Sequence, residues 1–279
     1  MKRASANWTK SLCLAAGLAL FVQNSADAAG IPQRVVSINV CTDQLALLLA
    51  ENGQLKSVSH LSQDPELSVM AAKARQLPVN HAQAEEVFLM KPDLVLAGTF
   101  SSRATVVLLR RLGVRVEEFA PARSFGDIED HLRRMGELLG RQAEASREID
   151  KTKAALAAIQ QPVRRKTVAL YYANSYTSGQ GTLVDEAVRL AGLDNLADKA
   201  GVSGSAPLPL EKLLLEKPDI LVLSSRDRAP ALAFENFEHP ALRLLEKQAR
   251  AVTIADNLTV CGGPFSVKAV AELAEAARD

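Results

Sequence analysis

The sequence predicts an α/β protein with two similar lobes, each built on a central, mostly parallel sheet, joined by one long α-helix, with a ligand cleft between the lobes. Three observations lead to this fold class. Short aliphatic strands alternate with helices in both halves of the chain. A charged, proline-free stretch with helical spacing separates the halves. A pattern of about a dozen residues occurs once in each half. The expected parts are a signal segment over 1–28, an N-terminal lobe over 29–125, a connecting helix over 126–160 and a C-terminal lobe over 161–279.

The first 28 residues have the three parts of a secretory signal. Lys2, Arg3 and Lys10 precede an uncharged apolar run over 12–22, and Ala26 and Ala28 match the small residues of a cleavage site. The apolar run is shorter than the ~18 residues that a membrane span needs. We therefore expect export to the periplasm, with cleavage near Ala28.

The charge balance argues against two classes of partner. Three basic residues and one acidic residue leave with the signal segment, so 33 basic and 32 acidic residues become 30 and 31. A nearly neutral chain lacks the basic surface that nucleic acid or an anionic membrane attracts. We expect a monomer with no nucleic-acid partner.

The first lobe shows the alternation most clearly. Residues 34–40 (RVVSINV) are rich in β-branched residues and predict a buried strand, after which Thr42 or Asp43 caps a leucine-rich helix. The further expected elements are strands over 56–60, 94–97 and 115–119 and helices over 85–90 and 104–112.

The central segment has apolar residues at helical spacing from about residue 127 to residue 159. A continuous helix of this size would be on the order of 50 Å long. Gly136 and Gly140 are its weak points. The alternative is a pair of antiparallel helices with a turn at Gly140.

The second lobe resumes the alternation after the central segment. We expect strands over 167–172, 219–223 and 251–254. Thr182 and Asp185 indicate the start of one helix, residues 210–215 form another, and a last helix follows the turn over 261–264.

The repeated pattern reads EEVFLMKPDLVL from residue 85 and EKLLLEKPDILVL from residue 211, so its two Lys-Pro-Asp tripeptides lie 126 residues apart. Proline after a helix is common, so this match alone is compatible with convergent packing. The identical tripeptide in corresponding places favours two similar lobes. Such lobes bind ligands in a cleft at the carboxyl ends of their strands.

Together these features resemble the periplasmic binding proteins for ferric siderophores and cobalamin, the class whose two lobes are joined by one long helix. The resemblance rests on RVVSINV, on both E-x5-KPD units, on the central helix, and on residues 171–181 followed by TLVDEAVRLAGLDN. It covers essentially the whole mature chain. It implies the binding protein of an ABC importer, which captures a metal-chelate nutrient, carries no cofactor of its own, and delivers the chelate to a membrane permease.

The resemblance also assigns a docking role to one glutamate in each lobe, because family members place such glutamates in arginine-rich pockets of the permease. The matching positions are Glu85 and Glu211, with Glu86 as a competitor for Glu85. Carboxylate–arginine pairs suit this purpose because they are directional. The alternative is a first-turn glutamate that only stabilises its helix.

Loops at the strand ends supply the candidate ligand-binding residues. They are Cys41, Thr42, Asp43, His60, Thr99, Arg103, Tyr172, Tyr176, Arg226 and Cys261.

Among these, the tyrosines and arginines suit a large chelate. All three tyrosines of the chain lie within residues 171–176, and a phenol offers an apolar face and a hydroxyl. Strand alternation turns one of Tyr171 and Tyr172 into the core, and Tyr176 is the better ligand candidate. Arg103 and Arg226 occupy comparable loops and would attract an anionic chelate, unless they are simply solvated.

Cys41 and Cys261 allow three alternatives: a disulfide between the lobes, thiolate ligation of a metal, or two separate buried thiols. Two rival functions follow from the residues. A bare-metal receptor would use Cys41, Asp43, His60 and Cys261. A periplasmic chelate-processing enzyme is the other, although the chain lacks G-x-x-x-x-G-K-[ST], G-x-S-x-G and H-E-x-x-H.

Overall fold

The computed structural model describes residues 30–224 and 232–278 of the chain. The expected signal segment, its cleavage near Ala28, and the candidate Arg226 lie outside these ranges.

The first lobe is built on a sheet of five parallel strands in the order β3-β2-β1-β4-β5. The strands are β1 Val35–Ser37, β2 Leu55–Ser59, β3 Val79–Asn80, β4 Leu94–Gly98 and β5 Val116–Phe119. The helices are α1 Val40–Leu49, α2 Ala71–Ala74, α3 Ala84–Leu89 and α4 Arg103–Arg111.

Between the lobes lie two helices, α5 Phe125–Leu139 and α6 Gln142–Ala157. The second lobe has a sheet of four parallel strands in the order β11-β10-β6-β8 and an antiparallel pair, β7 with β9. The strands are β6 Thr167–Tyr171, β7 Tyr176–Ser178, β8 Asp194–Asn195, β9 Ser205–Pro207, β10 Ile220–Leu223 and β11 Arg250–Thr253. The helices are α7 Leu183–Leu190, α8 Leu196–Lys199, α9 Leu210–Glu216, α10 Pro240–Gln248 and α11 Val267–Ala277.

The two sheets share one topology. In the first, β1 lies between β2 and β4, and β5 follows β4; in the second, β6 lies between β8 and β10, and β11 follows β10. All of these strands are parallel, and β1, β4 and β10 are buried along their whole length, as strands covered by helices on both faces must be. The predicted α/β fold with two similar lobes is confirmed.

The Lys-Pro-Asp repeat is a joint between helix and strand in both lobes. Lys91, which follows the C-cap Met90 of α3, and Lys217, the C-cap of α9, are both in the left-handed region, with φ of 50° and 46°. The Asp93 carboxylate accepts a hydrogen bond of 3.0 Å from Arg34 N at the start of β1. The Asp219 carboxylate accepts one of 2.8 Å from Thr167 N at the start of β6. The repeated aspartate therefore ties β4 and β10 to the first strand of their lobes.

The connecting segment differs from the single long helix predicted over 126–160. Gly140 ends α5 with φ of +69°, a conformation that a side chain disfavours. The two helices run antiparallel, because Lys153 Nζ lies 2.8 Å from Glu129 Oε2 while Gly136 packs against Ala145. The continuous helix was therefore wrong, and the alternative of two antiparallel helices with a turn at Gly140 is the observed one.

This helical hairpin contacts both lobes. Ile128, Leu132 and Met135 of α5 and Ile149 of α6 belong to the core of the first lobe. Leu156, near the end of α6, packs against the core of the second lobe. No helix within the described ranges is long and apolar enough to cross a bilayer.

Candidate ligand-binding site

A cavity of about 770 Å³ lies between the two lobes. The first lobe contributes Leu67 and residues 121–123, which follow β5, and the second contributes Tyr172, Ser224 and Asp256, which follow β6, β10 and β11. The cavity is thus at the carboxyl ends of the strands, where α/β proteins bind ligands. Its volume is within the range of ~300–1,000 Å³ typical of small-molecule sites.

The antiparallel pair β7–β9 and the residues that extend it form a polar wall of the cavity. Tyr176 pairs with Pro207 and Ser178 with Ser205. The pairing continues through Gly179 N, which donates to Gly204 O at 2.8 Å. A Cβ atom at residue 179 would collide with the backbone carbonyl of Val202, so this close approach requires glycine. The polar residues it brings to the cavity are Ser178, Gln180, Ser203 and Ser205.

Tyr172 is the tyrosine that faces the cavity. Its N–H donates to Tyr176 O at 2.8 Å, and its carbonyl accepts from Asn236 Nδ2 at 2.9 Å. Removal of water raises the pKa of the Tyr172 phenol well above its ordinary value, the Asp256 carboxylate raises it further, and a hydrogen bond with Ser178 opposes the rise. The phenol therefore offers a hydroxyl donor to the cavity at neutral pH.

The lining is mostly uncharged. Among the described residues, Arg123 and Asp256 are the charged side chains of the cavity wall, and hydroxyl, amide and aliphatic groups make up the rest. The described part of the chain contains no group of three or more His, Cys, Asp or Glu that could hold a metal ion. The cavity can thus bind apolar surface and neutral polar groups, and the described part of its lining contains no cluster that would coordinate a bare metal.

Cys41 and Cys261 form a disulfide that joins the lobes. Cys41 lies in the first turn of α1, and Cys261 follows Thr259 and Val260 of the cavity wall. Of the three alternatives for these cysteines, the structure contains the disulfide. Bonded sulfurs are not thiolate ligands, so the predicted bare-metal site loses two of its four residues.

A second, smaller cavity of about 60 Å³ lies beside the disulfide. Four of the predicted ligand-binding residues line it: Cys41, Thr42, Thr99 and Cys261. It shares Pro121, Ala122 and Val260 with the main cavity. These four residues are therefore near the main cavity, although none of them lines it.

Asp43 was predicted in the cleft, but it is fully buried and lines neither cavity. Its carboxylate accepts hydrogen bonds from the Ser59 backbone, at 3.0 Å, and from the Ser59 hydroxyl. Burial raises the pKa of Asp43 to about 7, against the lowering effect of these hydrogen bonds. Because Asp43 anchors the end of β2 to α1, it is corrected to a structural residue.

Three further candidates also lie outside both cavities. His60 is exposed and stacks on His81 at a centroid distance of 5.0 Å. Arg103 is exposed in the first turn of α4. Tyr176 is 43 % exposed on β7, so the preference for Tyr176 over Tyr172 is corrected. The sequence placed these residues in loops at strand ends, whereas His60 begins a 3-10 helix, Arg103 begins α4 and Tyr176 begins β7.

The docking candidates Glu85 and Glu211 are both exposed in the first turn of a helix, α3 and α9 respectively. Glu86, the competitor, accepts a hydrogen bond of 2.8 Å from His81 N. Within the described residues, neither Glu85 nor Glu211 is in an ion pair. Glu85 is therefore the more exposed of the two competing carboxylates.

Arg123, Phe234 and Asp256 line the cavity but were missed as candidates. Arg123 and Asp256 each follow a strand, β5 and β11, so the rule that strand ends meet at the cleft would have found them. Phe234 lies in a 3-10 helix, Leu232–Glu238, which has no clear signal in the sequence.

Comparison with known proteins identifies the family. A family model described as periplasmic binding protein matches residues 35–246. The chain belongs to this family. This periplasmic binding protein is 29 % identical to a cobalamin-binding protein of Halobacterium salinarum over 262 residues, which cover 82 % of this chain and 71 % of the relative.

Two further comparisons agree on the class. An uncharacterized ABC transporter substrate-binding lipoprotein of Bacillus subtilis, YvrC, is 25 % identical, with 88 % of this chain and 79 % of the relative covered. The solved structure of a periplasmic heme-binding protein from Pseudomonas aeruginosa has a TM-score of 0.66 and 25 % identity, covering 88 % of this chain and 92 % of that one. These relatives are binding proteins, and the family places the chain outside the cytoplasm.

Proposed function

We propose that this periplasmic binding protein is the solute receptor of an ABC importer and that its ligand is a corrinoid of the cobalamin type. The observation that carries the proposal is the cavity between the lobes, with its hydroxyl and amide wall and without a metal-binding cluster among the described residues. Such a cavity suits a ligand whose metal is already coordinated and whose periphery is neutral.

The corrinoid is favoured over the other chelates by the chemistry of the wall. A corrinoid ring carries neutral amide side chains, which Ser178, Gln180 and Ser205 can meet with hydrogen bonds. Haem carries two carboxylates and an open iron position, and Arg123 is the one cation of the described wall. The relationship to a cobalamin-binding protein supports the same choice. A ferric siderophore, whose metal is also fully coordinated, is the second candidate.

The receptor role includes export, ligand binding and delivery to the permease. The chain is exported by the signal segment over 1–28, with cleavage near Ala28, and acts as a monomer without a cofactor of its own. It binds its ligand reversibly rather than processing it. Glu85 and Glu211 then dock the loaded receptor on the permease, one carboxylate for each lobe, through pairs with cationic side chains of the permease.

A pair of variants tests both halves of the proposal. The double variant Glu85→Ala/Glu211→Ala should bind cyanocobalamin with the wild-type Kd. In cells that lack the chromosomal copy of the receptor gene, it should lower cyanocobalamin uptake by at least about tenfold. The control is Glu51→Ala with Glu275→Ala, which removes one exposed carboxylate from each lobe outside the docking helices α3 and α9. Normal uptake by the first variant would contradict docking, and absence of cyanocobalamin binding by the wild type would contradict the ligand.

A further inference from the structure

Each docking helix carries a highly exposed leucine. Leu89 of α3 is 77 % exposed and Leu215 of α9 is 80 % exposed. In the repeat that begins at Glu85 and Glu211, these two leucines occupy the same position. A single exposed leucine is ordinary on a protein surface, but here the exposure is duplicated at matching places in the two lobes.

The leucine and the glutamate of each lobe share one face of their helix. Leu89 is four residues after Glu85, and Leu215 is four residues after Glu211, a spacing that makes two helical side chains neighbours. The residues between them that point inward, Val87 and Leu213, are fully buried. The outward face of both helices therefore consists of a carboxylate with an apolar group beside it.

Two neighbouring positions of the repeat carry different residue types in the two lobes. Glu86 corresponds to Lys212, and Met90 corresponds to Glu216. Folding does not account for the leucines either, since a side chain that is about three-quarters exposed buries little apolar surface. Phe88 and Leu214 are both apolar, but Phe88 is 42 % exposed and Leu214 is partly buried against the core of its lobe, so their surroundings differ. The outward carboxylate and leucine match in both residue type and exposure.

We propose that Leu89 and Leu215 are the apolar anchors of permease docking, each filling an apolar pocket beside the cationic group that receives Glu85 or Glu211. This inference rests on the proposed function and names the surface that the permease recognises. The two lobes present the same carboxylate–leucine face. A partner that presents the same pocket twice would match them, and a pair of like membrane subunits is such a partner. An apolar contact beside an ion pair excludes water and so strengthens the pair.

The test compares leucine variants with a matched control. Leu89→Ser and Leu215→Ser are made singly and together, and Leu108→Ser with Leu244→Ser is the control, because those leucines are 38 % and 55 % exposed on other helices of the two lobes. For each protein we measure the Kd for cyanocobalamin, the thermal midpoint, and the uptake of labelled cyanocobalamin in cells without the chromosomal copy.

Each single variant at the docking face should lower uptake by about three- to tenfold, and the double variant by more, with Kd and thermal midpoint unchanged. The control should transport like the wild type. Conservative Leu89→Met with Leu215→Met should retain most of the uptake, since methionine fills the same kind of pocket. Wild-type uptake by the double serine variant would overturn the inference while leaving the proposed function intact.

Failure of the proposed function has a different signature. If the wild type neither binds cyanocobalamin nor supports its uptake, and the same measurements with a ferric hydroxamate are also negative, the receptor role fails and this inference fails with it. A loss of uptake equal in the control and in the docking variants would also overturn the inference, because it would show a general sensitivity to surface change.

Discussion

Cys41 in the first turn of α1 and Cys261 after β11 are covalently bonded across the two lobes, with their Cα atoms 5.1 Å apart. The bond joins residues 220 positions apart in sequence. It also fixes the segment that contributes Thr259 and Val260 to the cavity wall. The disulfide thus links the stability of the fold to the shape of the binding site.

Removal of this disulfide should destabilise the protein. Cys41→Ala with Cys261→Ala should lower the free energy of unfolding by roughly 2–5 kcal/mol, because the unfolded chain regains the freedom of a very long loop. Guanidinium unfolding measures the change, with the reduced wild type as a control that should behave like the variant. An unchanged midpoint in both proteins would contradict a structural role for the bond.

The protonated phenol of Tyr172 leads to a prediction about ligand affinity. Tyr172→Phe removes one hydroxyl from the cavity wall and should weaken cyanocobalamin binding by about three- to tenfold. The visible spectrum of the bound ligand should not change, because losing a hydrogen bond from the phenol leaves the coordination of the metal as it is. Tyr171→Phe is the matched control, since the Tyr171 hydroxyl bonds to Ser175 Oγ at 2.8 Å and does not line the cavity. A spectral change specific to Tyr172→Phe would show that Tyr172 is a metal ligand.

Buried Asp43 should make stability depend on pH. Its pKa is raised to about 7 in the folded protein, from an ordinary value of 3.8 in the unfolded chain. Between these values the folded state holds a proton that the unfolded state has lost, so stability falls as pH rises from about 4 to about 7 and is flat above that range. Asp43→Asn should remove this fall.

The measurement is denaturant unfolding at pH 5 and pH 8. The wild type should be less stable at pH 8 by roughly 1–3 kcal/mol from this group, whereas Asp43→Asn should lose that difference. Equal pH dependence in both proteins would mean that Asp43 is ionised in the folded state at pH 5.

The Lys-Pro-Asp joint predicts matched effects in the two lobes. Asp93→Ala and Asp219→Ala should each destabilise the protein by roughly 1–3 kcal/mol, because each change leaves a backbone N–H at the start of a central strand without its carboxylate acceptor. Asp130→Ala is the control, since its carboxylate is on an exposed face of α5 and pairs with Arg133. If only one of the two substitutions lowers the free energy of unfolding, the Lys-Pro-Asp segments of the two lobes do not play the same structural role.

Much of the architecture could be predicted because it depends on local patterns. The strand expected over 94–97 is Leu94–Gly98, and the helix expected over 210–215 is Leu210–Glu216. Aliphatic runs and helical spacing determine such elements within the segment itself. The two-residue strands β3 and β8 were not predicted, because they are defined by a partner strand and not by their own composition.

The candidate site was less predictable, because it depends on which way each side chain points and on contacts between residues that are far apart in sequence. The cysteine pairing needs the relative position of two lobes, and the sequence left it open. The sequence left the turn at Gly140 open, because a turn there depends on packing between α5 and α6, where Gly136 meets Ala145. Tyr172 faces the cavity rather than Tyr176 because residues 174 and 175 have positive φ and redirect the chain after β6.

The central claim is that the cavity between the lobes captures an already coordinated metal, with a corrinoid as the preferred ligand. Calorimetric titration of the mature protein against cyanocobalamin, a ferric hydroxamate, haem and Co²⁺ tests it most directly. We predict one-to-one binding of cyanocobalamin at submicromolar Kd, on the order of 10⁻⁷ M or tighter, with no binding of the bare ion. Binding of Co²⁺ alone, with no binding of any chelate, would contradict the account.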